Sequence, residues 1–80
     1  MKVRILVSFK DSVLDPQGQA IEGALRTLGF SGVGAVRQGK TFSLELDGAD
    51  PEAARKEVTA MCQQLLANSV IEDYAIEIEA

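Results

Sequence analysis

An α+β fold is predicted for this 80-residue chain by three observations. Three segments alternate apolar and polar residues at strand period, two others carry helical apolar stripes, and each stripe follows an Asp-Pro pair. The first strand is Val3 to Phe9: Val3, Ile5, Val7 and Phe9 share one parity, and Arg4, Leu6, Ser8 and Lys10 fall on the other. Asp15-Pro16 then opens a helix, because aspartate accepts the orphan N–H groups of a first turn and proline has no N–H to lose there. Ala20, Ile21, Ala24, Leu25 and Leu28 follow at helical spacing and make one stripe, expected to face a sheet. Gly29 suits the left-handed residue that ends a helix, with Phe30 folding back toward Leu25 in a Schellman ending, so the helix stops near Leu28.

Gly32 to Gln38 reads as a weaker strand built on Val33 and Val36. Gly39-Lys40 reads as a tight hairpin into a third strand carrying Phe42, Leu44 and Leu46. Asp47 to Asp50 is a polar turn, and Asp50-Pro51 repeats the capping device. The second helix is expected to bury Ala54, Val58, Met61, Cys62 and Leu65, to leave Arg55, Lys56, Glu57, Gln63 and Gln64 in solvent, and to stop at Asn68. Tyr74, Ile76 and Ile78 alternate with Ala75, Glu77 and Glu79 in the last strand. The order is β-α-β-β-α-β in a single domain over residues 1–80. The expected architecture is ferredoxin-like: a four-stranded antiparallel sheet with two helices on one face. The other face is small or charged except for Leu6, and stays open.

Composition narrows the function. With 8 Lys and Arg against 12 Asp and Glu the net charge is −4, which gives no electrostatic reason to bind nucleic acid or an anionic membrane. No apolar run approaches the ~20 residues of a membrane helix, and no basic-then-apolar leader opens the chain. A single cysteine, Cys62, allows no internal disulfide, so a reducing, cytoplasmic setting is expected. The absence of histidine removes the usual zinc sets and the base that most serine and cysteine nucleophiles need.

No constellation amounts to an active centre. Gly29, Gly32 and Gly34 follow a helix and enter a strand, the reverse of a phosphate loop. Gly18 lies in the first turn after Asp15-Pro16, where free N–H groups would hold an anion, but Asp15 competes for them as a cap. Cys62 on an apolar helix face reads as packing. Glu72 and Asp73 point to opposite faces of a strand and make no acid–base pair. Of the four aromatic residues, Phe9, Phe42 and Tyr74 follow the buried parity, so the open face lacks the stacking platform of an RNA-binding sheet.

The segments Lys10-Asp11-Ser12-Val13-Leu14-Asp15-Pro16-Gln17-Gly18, Val36-Arg37-Gln38-Gly39-Lys40 and Cys62-Gln63-Gln64-Leu65-Leu66-Ala67-Asn68, with Val70-Ile71-Glu72-Asp73-Tyr74 after them, closely resemble the PurS family. This is the small subunit of phosphoribosylformylglycinamidine synthase, and the resemblance spans essentially the whole chain. Ser69 departs from the proline usual there, which loosens a loop without touching chemistry. The resemblance implies a subunit without catalytic residues that joins a PurL-type synthetase subunit to a PurQ-type glutaminase subunit and assists ammonia transfer. ATP, magnesium and glutamine would be used by those partners, and no cofactor or metal is bound by this chain. Within that resemblance, contacts are expected from Lys10, Asp15, Pro16, Gly18, Arg37, Gly39 and Lys40. Asp15 and Pro16 set the helix start, Gly39 permits a turn, and Lys10, Arg37 and Lys40 offer charge to acidic or phosphate-bearing partners. A homodimer or larger assembly is expected through strand pairing or the open sheet face.

Two other readings share the predicted element order. A regulatory ligand-binding domain would bind a small molecule at a dimer interface and melt higher with its ligand. An acylphosphatase needs a glycine-rich anion loop after the first strand, with an arginine and an asparagine; Lys10 to Leu14 has no glycine, and Asn68 is the lone asparagine.

Overall fold

The computed structural model describes residues 1–79; Ala80, the last residue of the expected domain, lies outside them. Strand β1 (Lys2–Phe9) occupies the centre of an antiparallel sheet ordered β2-β1-β3, flanked by β2 (Gly39–Glu45) and β3 (Glu72–Glu79). Helix α1 (Pro16–Thr27) joins β1 to β2, and helix α2 (Pro51–Met61) joins β2 to β3. The register places Ile5 opposite Phe42 on one side and Ile76 on the other. All three side chains therefore fall on the face predicted to be buried.

That face meets α2. Val3, Ile5, Val7, Val58 and Cys62 form the buried cluster, and Phe42, Leu44, Tyr74, Ile76 and Ile78 pack around it. Both Asp-Pro starts form as expected: Asp15 accepts the Gly18 N–H at 2.9 Å and Asp50 accepts the Glu52 N–H at 3.0 Å. At the end of α1, Phe30 N–H bonds to Leu25 O and Gly29 N–H to Arg26 O, both at 3.0 Å, with Gly29 at φ +104°. This is the Schellman ending the sequence predicts.

Three expectations are corrected. Gly32 to Gln38 forms no strand, so the described sheet has three strands rather than four. Two of its backbone donors go to side chains instead, Val36 N–H to Glu22 and Gln38 N–H to Asp15, and two glycines add entropy that a ladder would have to overcome. With no strand there, Gly39-Lys40 closes no hairpin; Gly39 opens β2 instead.

The second correction concerns α1, which does not lie on the sheet beside α2. Its apolar stripe stays open, with Ile21 exposed and Leu28 73% exposed. Helix and return segment project as an arm from the body, giving a radius of gyration of 16.0 Å and extents of 48 × 26 × 14 Å. A compact chain of this length would have a radius near 12 Å.

The third lies at the end of α2, where Cys62–Leu66 winds as a π turn, with the Ala67 N–H reaching the Cys62 carbonyl at 3.0 Å. The wider turn rotates Leu65 off the buried face to 84% exposure and brings Leu66 in.

Candidate functional site

The arm leaves the sheet through a neck of two chain crossings, residues 10–18 going out and 36–40 coming back. All seven residues singled out from the sequence gather there. Asp15 is its centre, 2% exposed. One carboxylate oxygen caps Gly18 N–H, and the other accepts Gln38 N–H at 2.7 Å, so a single side chain ties the helix start to the residue before β2. Those backbone bonds, the one from Gln38 foremost, hold its carboxyl below the usual carboxylate value. The Arg37 guanidinium adds to the effect, and desolvation opposes it. Pro16 supplies the fixed φ of the first helical position.

Arg37 reaches back across the neck and donates to both Lys10 O and Val13 O at 2.9 Å. Lys10 pairs with Asp73 at 2.8 Å, while its N–H bonds to Ile71 O, fastening the outgoing crossing to the start of β3. Lys40 lies 3.8 Å from Glu72 and 5.7 Å from the centre of the Phe42 ring. The three cations are thus engaged within the chain, although Lys10 and Lys40 keep part of their surface in solvent.

The two glycines serve close approach. A Cβ on Gly18 would fall well within van der Waals contact distance of the Val36 carbonyl oxygen, and one on Gly39 would lie 2.5 Å from Val7 O. Gly39 has no positive φ, so its use is space rather than the turn expected of it.

Three participants escaped sequence reasoning. Gln38 gives its N–H to Asp15 and its amide to Gln17 at 2.7 Å. Glu22 accepts from Val36 N–H at 3.1 Å and pairs with Arg26. Glu72 accepts from Asn68 N–H at 2.7 Å beside its approach to Lys40. Only the Glu22–Arg26 spacing of four left a trace in the sequence.

Chemically, the neck is a joint. In the first turn of α1 the Gly18 N–H goes to the Asp15 carboxylate, which puts a negative charge where an anion would have to sit. A cleft of about 160 Å³ beside it is lined by Ser8, Gln17, Gln38, Lys40 and Glu72. A larger, shallow depression of about 740 Å³ lies at the opposite end of the sheet, where Arg4 already pairs with Glu77. Among the described residues no cluster of carboxylates and thiols could hold a metal, and no helix is long and apolar enough to cross a membrane. Cys62 is fully buried, and burial pushes its thiol up in pKa, away from the reactive thiolate.

Comparison with known proteins gives one consistent picture. The family model described as PurS, phosphoribosylformylglycinamidine (FGAM) synthase, matches residues 2–80. The PurS subunit of Synechocystis is 48% identical over 77 residues, covering 96% of this chain and 77% of that protein. The Bacillus subtilis PurS subunit is 46% identical over 78 residues, covering 98% and 92%. The crystal structure of Methanocaldococcus jannaschii PurS superposes with a TM-score of 0.89 at 38% identity over 98% of this chain and 94% of that one. A chain in the structure of PurLQS from Thermotoga maritima gives 0.87 at 36% identity over 95% and 93%.

Proposed function

The chain belongs to the PurS family, as a subunit of phosphoribosylformylglycinamidine synthase in purine biosynthesis, and we propose that it works there as the bridge between a PurL-type synthetase subunit and a PurQ-type glutaminase subunit. Support comes above all from its likeness, along nearly its whole length, to a chain of the PurLQS structure. ATP, magnesium and glutamine are handled by the larger subunits. This chain's share is assembly and a closed route for ammonia, which would be protonated and lose its lone pair if it escaped into neutral water. An acidic chain with no histidine and a neck built as a joint suits that division of work.

The test is reconstitution. Glutamine-dependent amination by the two large subunits should depend on this chain and fall to background without it, while ammonia-dependent amination largely survives. Glutamine-dependent turnover that persists undiminished without the chain removes the bridging reading.

A second copy of the chain covers the α1 stripe. This modifies the expectation of pairing through a strand or the open sheet face, and it rests on Ile21, Leu28 and Phe30 being exposed along an arm that stands off its own sheet. Large apolar side chains exposed along one short arm of a small acidic chain are costly in water and call for a partner. Ile21→Glu with Leu28→Glu should shift the sedimenting species to the monomer at micromolar concentration, with the sheet still folded. An unchanged mass would exclude the stripe as the interface.

A further inference from the structure

Among the described residues, the neck is what holds the arm in direction. Extensive packing between elements joins β1 to β2 and β3, and α2 to its π turn and β3; α1 has no share in it. A helix so placed would swing on its two connections if they were plain linkers, because few buried contacts oppose local opening. They are not plain. Asp15, nearly inaccessible to solvent, bonds forward to Gly18 in the arm and across to Gln38 at the threshold of β2. Arg37, on the returning crossing, clamps two carbonyls of the outgoing one. The outgoing crossing is in turn fixed to β3 through Lys10, by its N–H to Ile71 O and its ammonium to Asp73.

We propose that Asp15 and Arg37 are positioning residues for assembly: they lock the arm at one angle to the sheet, so that the larger subunits meet arm and sheet as a single preset surface. The proposal rests on the bridging function above. A chain whose arm sampled many directions would present the correct one only part of the time, and its apparent affinity would fall in the same proportion.

Two variants test it. Asp15→Asn keeps the shape but turns an NH2 group toward one of two N–H donors that both need an acceptor. Arg37→Met keeps an exposed aliphatic stem and removes both clamping bonds. In the isolated chain, the Gln38 amide should exchange at least about tenfold faster in either variant while the β1 amides keep their protection. In the reconstituted enzyme, the concentration of chain giving half-maximal glutamine-dependent turnover should rise about tenfold with the plateau unchanged, the result for an arm correctly placed about a tenth of the time.

Unchanged Gln38 exchange, or faster exchange with unchanged half-saturation, overturns the proposal. So does joint loss of β1 protection and of the plateau in both variants, which would make these ordinary folding residues. If Asp15→Asn alone fails to fold, Arg37→Met decides by the same two readouts. Should the unaltered chain prove dispensable for glutamine-dependent turnover, the bridging function fails, while the exchange data still report whether the neck is locked.

Discussion

Ile5→Ala should lower stability by about 2–5 kcal/mol, the range for emptying a fully buried aliphatic site. Ile5 is 0% exposed at the middle of the central strand, between Phe42 and Ile76, and the fully buried Val58 and Cys62 belong to the same core cluster. The neighbours cannot collapse onto the gap easily, because β1 is hydrogen-bonded on both sides. A domain of 80 residues has on the order of 4–12 kcal/mol in total, so one substitution would consume a large share of it. Thermal unfolding should shift down by roughly 12 to 30 °C. Leu6→Ala, one residue along on the open face and 41% exposed, is the control and should cost less than about 1 kcal/mol. Equal losses at both positions would mean that the open face is covered as well, and the assignment of a single core would be wrong.

Gly18→Ala and Gly23→Ala should move stability in opposite directions although both lie in α1. Alanine is the better helix former by about 1 kcal/mol, so propensity alone favours both changes. At Gly23 nothing lies within 4 Å of the added Cβ, and a gain of about 0.4–1 kcal/mol is expected. At Gly18 the Cβ would run into the Val36 carbonyl oxygen and crowd the Asp15 carboxylate. Backbone on one side and a carboxylate bonded twice on the other cannot both yield, so the overlap outweighs propensity and a net loss of about 1–3 kcal/mol follows. The damage should be local, showing first as faster exchange at Gln38. A stabilised Gly18→Ala chain would show that the returning crossing does not press against α1 as described.

The neck itself was half legible. Asp15, Pro16 and Gly18 could be identified because capping is decided within one turn of chain, and the cap formed as expected. The second bond of Asp15, to Gln38, joins residues 23 apart and follows from no local rule. In the sequence, Arg37 and Lys40 are charges at a predicted hairpin tip. Arg37 proved to be a clamp on two carbonyls, a function that needs the outgoing crossing 24 and 27 residues earlier to lie beside it. Gly39 suits the predicted turn and serves instead because β1 passes too close for a side chain.

Alternation along β1, the third predicted strand and the last one settled which residues face the core, since a strand has two sides and a slip of one residue would expose every apolar side chain. Asp-Pro pairs settled where both helices begin, and the three matching segments settled the family. These are matters of nearest neighbours and of spacing. Tertiary structure alone decided that Val36 and Gln38 spend their N–H donors on side chains instead of a ladder, that the π turn exchanges Leu65 for Leu66, and that α1 stands away from its own sheet. A helical stripe records how much apolar surface must be covered but not by what. Whether the sheet of the same chain or another surface covers it depends on the angle at which the chain leaves β1, and that angle is set by bonds between residues far apart in sequence.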